Sequence, residues 1–434
     1  MVSLKELSLH NAAGNMPFNQ EKAVIIMKVR RSILRIAALP VVLLISFSSC
    51  RKDPSAHYDY FVSKDLLVTY NTSYITSLLT VASAEYPEIA DLKPLIATDV
   101  NVFRLVCKTT INGEEVKVSG LVCVPVEAGD YPVLCFQNGT NTVDAYAPSN
   151  FVINPLYQMV EFVASMGYVV VIPDYPGFGE SAGLVHPYLI KEPTVRSIVD
   201  MLYAVREIAG EEFPGIGLVN EYYMLGYSQG GWASLCLHKA LELDYADDFK
   251  LKGSACGAGP YDLSLLFQTL VQNATYHMPV YIAYMVHAYS SYNQFTNPVP
   301  EILKEPFASN LSSLFNGLQT SEQINSQLTP SIPDLIDPDF LSGYNSAPEY
   351  SSVRNALHAN SISAWNSKVP LLLVHGESDT QVDPVTTESI HAAMIQAGTS
   401  PALCIKETVP GADHGDGIVP CMLKGLFFIL SLSN

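Results

Sequence analysis

With 434 residues, 48% of them hydrophobic and 15% charged, the chain has enough apolar content to bury a large core and lies outside the low-hydrophobicity class of disordered sequences. Its formal net charge of -18 repels phosphate backbones, and Lys and Arg gather only in the extreme N-terminal region, so nucleic acid is excluded as an expected partner.

The first patterned segment is Met27-Lys28-Val29-Arg30-Arg31, a basic head followed by an apolar run from Ile36 to Phe47 and then Ser48-Ser49-Cys50. This is the pattern of an export signal; residues 1–26 before it form an unpatterned N-terminal extension, which leaves Met1 and Met27 as alternative starts. The run falls short of the roughly 20 apolar residues that span a bilayer. Ser-Ser-Cys closing the run resembles the lipobox of bacterial lipoproteins, with Phe47 where that motif usually has Leu. The resemblance implies lipidation of Cys50 and a membrane tether, with ordinary cleavage and a secreted or periplasmic product as the alternative. Arg51 follows the cysteine, which favours the outer membrane, on its periplasmic face or at the cell surface. Eight cysteines less Cys50 leave an odd number, and no CxxC or Cys/His spacing suggests a metal site.

Residues 51–98 read as a helical N-terminal extension, with Leu66, Leu67, Tyr70, Tyr74 and Leu78 at helical spacings. The sheet is expected to begin with Phe103 to Cys107 and Val116 to Val124, which flank the hairpin signal Asn112-Gly113. From Val133 onward, short apolar runs alternate with helical segments, which predicts a mostly parallel sheet covered by helices. The expected strands are Val133–Phe136, Val169–Ile172, Tyr222–Leu225, Leu251–Cys256, Leu371–Val374 and Ala402–Ile405. Between residues 262 and 365 this rhythm is lost, and Phe267, Tyr276, Tyr281, Tyr284 and Tyr289 mark an inserted helical cap whose aromatics either pack as core or line an acyl pocket. The catalytic domain is then 99–261 together with 366–434.

Two G-x-S-x-G strings occur, Gly226-Tyr227-Ser228-Gln229-Gly230 and Gly179-Glu180-Ser181-Ala182-Gly183. Only the first follows an apolar strand and opens an amphipathic helix, the context in which a sharp turn exposes the serine hydroxyl and aims helix N–H groups at a developing oxyanion. Ser181 is preceded by Pro176 and Gly177 and followed by Pro187, which reads as a loop. Ser228 is therefore the expected nucleophile. A serine hydroxyl needs a base and an acid to orient that base. Asp379 follows the strand Leu371–Val374, at the sheet edge where open parallel sheets keep their sites, with Glu377 and Asp383 as neighbouring candidates. His414, in a turn-rich loop after the last strand, completes the order Ser, Asp, His; His375 precedes the acid and His391 sits on a helix.

These residues resemble the α/β-hydrolase family and, within it, the bacterial lipases and esterases related to fungal secretory lipases. The matching strings are Gln137-Asn138-Gly139-Thr140, Asp174-Tyr175-Pro176-Gly177 and Gly226 to Gly231, with Asn138 in place of the family's histidine. The resemblance implies an α/β-hydrolase fold, backbone oxyanion donors at Thr140 and Gln229, and a bracing role for Asp174. It implies hydrolysis of a small-molecule, lipid or glycan ester with no cofactor or metal. A serine peptidase of the same fold and a catalytically inactive surface lipoprotein are the competing readings.

Overall fold

The computed structural model describes residues 58–150 and 153–433. Cys50 and the export signal lie outside the described residues.

The framework is one nine-stranded sheet in the order β1-β2-β3-β5-β4-β6-β7-β8-β9. The strands are β1 (Phe61–Tyr70), β2 (Val100–Ile111), β3 (Glu114–Pro125), β4 (Gly129–Gln137), β5 (Val169–Pro173), β6 (Ile216–Tyr227), β7 (Leu251–Gly257), β8 (Leu371–Gly376) and β9 (Cys404–Val409). The first three strands and the β3–β5 pair are antiparallel, and every pairing from β5 through β4 to β9 is parallel. Strands β5 and β8 are buried along their whole length. Both faces of the parallel part are covered by helices, so its sequence reads as continuous apolar runs. This is the α/β-hydrolase fold.

The hairpin between β2 and β3 follows the expected chemistry. Ile111 pairs with Glu114, and the two linking residues, Asn112 and Gly113, both have positive φ, 52° and 83°. Asn-Gly tolerates that geometry at little cost.

The sheet begins earlier than the pattern suggested. Residues 61–70 form the edge strand β1, and helix starts only at Thr72. Leu66 and Leu67, which looked like part of a helical stripe, are 56% and 39% exposed, so no buried helical face exists there. What favours the strand is long-range: the free edge of β2 offers a ladder, and the Glu207 carboxylate accepts the N–H groups of Asp59, Tyr60 and Phe61. Helical spacing of leucines carries no information about such partners.

Between β7 and β8 the chain leaves the sheet and forms a run of helices that includes Leu263–Val271, Pro279–Ser291 and Ser351–Asn360. The helix Pro279–Ser291 lies over the carboxyl edge of the sheet because three of its tyrosines donate to loops there. Tyr284 binds Asn141 O at 3.2 Å, Tyr289 binds Leu189 O at 3.0 Å and Tyr292, its C-cap, binds Val185 O at 2.8 Å.

Candidate active site

The chain runs from β4 out to β5, then crosses back to form β6 on the other side of β4. Open parallel sheets leave a crevice where the winding reverses, at the carboxyl ends of the strands. Here that crevice lies between Gln137 and Tyr227, whose strands are in register at Gln137 and Gly226.

Ser228 occupies the turn between β6 and the helix Gln229–Leu243 with φ 59° and ψ -123°, a conformation that costs a non-glycine residue energy and persists only when its surroundings enforce it. Several contacts enforce it. Ser228 N–H donates to Gly257 O at 2.8 Å and Trp232 N–H donates to Ser228 O at 3.1 Å. The glycines after the serine permit the tight turn: a Cβ on Gly230 would stand 1.9 Å from Gln137 O, and one on Gly231 2.2 Å from Gly257 O. The result is a hydroxyl pushed out of the helix and towards solvent.

Three side chains from distant parts of the sequence meet there. Ser228 Oγ lies 2.9 Å from His414 Nε2, and His414 Nδ1 lies 2.6 Å from Asp379 Oδ2. The loop bearing His414 is held by Tyr227, whose hydroxyl donates to His414 O at 2.7 Å, and by Glu377, whose carboxylate accepts Gly411 N–H at 2.9 Å. Asp379 is buried, and its Oδ1 accepts the N–H groups of Gln381 and Val382, each at 2.9 Å. Burial alone would raise this carboxyl, but donors from His375, His414 and Val382 outweigh it and hold Asp379 well below the usual carboxylate range. An ionised Asp379 fixes the proton of His414 on Nδ1, leaving the Nε2 lone pair facing the serine.

The other candidates serve the framework. Ser181 is buried in a turn, where its Oγ donates to Phe178 O and accepts Gly177 N–H. Asp383 caps a helix through Val385 N–H, and His391 lies 3.2 Å from Cys404 O.

The loop after β4 runs beside the elbow: a Cβ on Gly139 would stand 3.6 Å from Tyr227 O and 3.9 Å from Ser228 Cβ. Asn138 is buried, and its amide donates to Pro173 O at 2.9 Å, tying this loop to the end of β5. Thr140 Oγ1 is 3.0 Å from Tyr188 OH. Gln229 opens its helix, so its N–H has no intrahelical acceptor. Asp174 accepts Ser149 N–H and the hydroxyls of Ser119 and Ser149, which makes it a brace.

Two further histidines stand behind this constellation: His186, which the sequence pattern did not single out, and His375, which it set aside as a base on chain order. His186 is buried, and burial lowers it to about 4, so it is neutral; its Nδ1 donates to Pro176 O and its Nε2 accepts from the Gln229 amide. His375 contacts Asp379 directly.

A cavity of about 320 Å³ opens from Ser228 and Gln229 into the space under the helices Leu263–Val271 and Pro279–Ser291. Leu263, Leu266, Phe267, Ile282 and Met285 make its apolar wall. Gln381 closes one side, where it receives the hydroxyls of Tyr276 and Tyr281.

A family model for secretory lipases matches residues 151–407. The chain belongs to the secretory lipase family. Its members are ester hydrolases. Among solved structures, this secretory lipase is similar to a protein from Legionella pneumophila, with 22% identity and a TM-score of 0.76 over 87% of this chain and 99% of that one. It is similar also to the rice cell wall degrading esterase LipA from Xanthomonas oryzae, with 23% identity and a TM-score of 0.73 over 86% and 96% of the two chains. Candida antarctica lipase A in its closed state shares 16% identity with a TM-score of 0.59 over 86% and 81%. These likenesses bear on the fold. No curated protein sequence matches the chain.

Proposed function

We propose that this secretory lipase cleaves carboxylic esters through an acyl-enzyme on Ser228, with His414 as base and Asp379 as the acid that orients it. The observation that carries the reading is the unbroken path from Ser228 Oγ to His414 Nε2 at 2.9 Å and from His414 Nδ1 to Asp379 at 2.6 Å. Ser228 Oγ attacks the ester carbonyl carbon as its proton passes to His414 Nε2. The N–H groups of Thr140 and Gln229 receive the oxyanion. His414 then protonates the alcohol oxygen as the carbon–oxygen bond breaks. Water repeats the sequence against the acyl-enzyme and restores the serine.

The cavity supports an apolar acyl group. It opens from Ser228, whose hydroxyl oxygen would carry the acyl group, and its wall under the helices is apolar, which suits the acyl half of the ester. An apolar cavity of about 150 Å³ holds one benzene, so by proportion this one takes roughly a dozen carbon atoms.

Labelling with a fluorophosphonate tests the nucleophile: the wild type and Ser181→Ala incorporate the probe and hydrolyse aryl esters, whereas Ser228→Ala does neither and loses several orders of magnitude in turnover. Loss of labelling in Ser181→Ala would move the nucleophile there, and an unlabelled wild type would favour an inactive binding protein.

The family's secretory character accords with an exported protein. No helix among the described residues is long and apolar enough to cross a membrane. We propose attachment to the outer membrane through lipid on Cys50, on the strength of the basic head, apolar run and Ser-Ser-Cys that precede the folded chain.

A further inference from the structure

Asp379 Oδ2 is shared by two imidazoles. His414 Nδ1 lies 2.6 Å from it and His375 Nε2 lies 3.1 Å from it. His375 Nε2 is also 2.9 Å from Val382 O, and its Nδ1 is 2.6 Å from Thr387 Oγ1. The ring is buried at the end of β8, so every polar atom on it needs a protein partner.

We propose that His375 is a positioning residue that holds the Asp379 carboxylate against His414 and shares its negative charge. The inference rests on the assignment of Asp379 and His414 as acid and base.

The tautomer follows from the partners. Nε2 faces an ionised carboxylate and a carbonyl, neither of which can donate, so Nε2 carries the proton. Nδ1 pairs with the Thr387 hydroxyl, so the ring is satisfied at both nitrogens. One ring thereby links the Asp379 side chain, the main chain at Val382 and the helix Val385–Gln396 that carries Thr387. With the N–H groups of Gln381 and Val382 on Oδ1, the carboxylate has donors on both oxygens and cannot rotate. A second donor on Oδ2 also draws charge away from the oxygen that faces His414.

The charged groups around this ring are few. Across a hollow of about 240 Å³ stand Glu377, Glu388, Lys406 and Glu407. Lys406 pairs with Glu388, Lys424 pairs with Glu407 at 2.6 Å, and Glu377 is engaged by Gly411 N–H. On the other side, His414 faces Ser228, Asp379 and the Tyr227 ring, whose phenol burial holds neutral, and Asp413 adjoins it in sequence. Asp379 is thus the carboxylate through which a change at His375 reaches His414.

The test compares His375→Leu, His375→Gln and Thr387→Val with the wild type on p-nitrophenyl butyrate across pH. Leu removes the donor; Gln returns an N–H close to the Nε2 position. A hydrogen bond to a charged group corresponds to about a ten- to hundredfold change in rate, so kcat of His375→Leu falls by that factor with KM within about twofold. The acidic limb of its kcat/KM profile moves to higher pH, because Oδ2 recovers the charge that His375 had drawn away. His375→Gln recovers most of the rate and returns the limb, and Thr387→Val, which leaves the ring folded in place, shows a smaller change in the same direction. Wild-type kcat and an unmoved acidic limb in His375→Leu would overturn the proposal. So would equal impairment of the Leu and Gln variants with the limb unmoved, which is the signature of packing alone. If His375→Leu does not fold, Thr387→Val decides, and a wild-type profile there counts against the proposal. Ser228→Ala serves as the control: turnover near the wild-type level in that variant would mean that the triad assignment itself had failed, a result separable from those above.

Discussion

Replacing Asp379 by Asn changes one oxygen for an NH₂ group and tests the geometry of the acid in detail. The Gln381 and Val382 N–H groups, each 2.9 Å from Oδ1, are fixed to the main chain, so the Asn oxygen must face them. The NH₂ group then points at His414 Nδ1 and His375 Nε2, both of which carry protons in the wild type. Two donors cannot face a donor. His414 must therefore move its proton to Nε2, where it points at Ser228 and blocks the abstraction it should perform. The same exchange in a Ser-His-Asp triad lowers turnover about 10⁴-fold, equivalent to about 5 kcal/mol in the barrier. Asp379→Asn is expected to lose a comparable factor in kcat on an aryl ester with a near-native fold, while Asp383→Asn, whose carboxylate accepts Val385 N–H at the cavity wall, stays within about threefold. Because Asp379 is held below its usual range in the folded protein, its contribution to stability is present above about pH 4 and is lost as pH falls through the folded value. The variant should accordingly show a flatter loss of stability below pH 4. A loss under tenfold in Asp379→Asn, or a larger loss in Asp383→Asn, would refute this reasoning.

Three further outcomes follow from the same structure. Gly230→Ala forces a Cβ to within 1.9 Å of Gln137 O, so the elbow and the end of β4 must separate; a fall of about 1–3 kcal/mol in stability and a marked loss of turnover are expected, and an unchanged melting curve with full activity would contradict the close approach. Burial pushes Glu161 up to about 8, against a smaller opposing effect of Tyr70, so the folded protein holds a proton that the unfolded chain releases near 4.5, and stability declines as pH rises through that interval. Glu161→Gln removes the dependence, by at most about 4–5 kcal/mol across the interval, and parallel urea titrations at pH 5 and 8 that show no gain for the variant at pH 8 would sink the idea. Cys50→Ser is expected to release the enzyme from membranes that the wild type resists leaving in high salt; a soluble wild type with no acyl group on Cys50 by mass spectrometry would defeat the tether and leave the catalytic reading intact.

Much of the parallel half of the sheet was legible because its strands are buried on both faces and announce themselves as apolar runs. The expected runs at Val169, Tyr222, Leu251 and Leu371 all fall within observed strands. The elbow was legible for a different reason: a strand, a tight turn and a helix must follow one another within a few residues, and that is local information. Edge strand β1 was not legible, since its pairing with β2 and its anchoring on Glu207 are long-range. His375 was visible in the string His375-Gly376-Glu377-Ser378-Asp379 but fails the chain order for a base. Its place beside Asp379 depends on how the loop after β8 folds back, with Val382 and Thr387 closing over the ring. His186 was hidden similarly, because its link to Gln229 joins a loop after β5 to the elbow.

The central claim, that ester cleavage passes through Ser228, is tested most directly by trapping the intermediate. Mixing the enzyme with excess p-nitrophenyl ester, quenching in acid within the burst and sequencing the peptides by mass spectrometry locates the acyl group. The account predicts one acyl adduct per active enzyme on the peptide bearing Ser228, and none in Ser228→Ala. Turnover without an adduct, or an adduct on the peptide bearing Ser181, would contradict it.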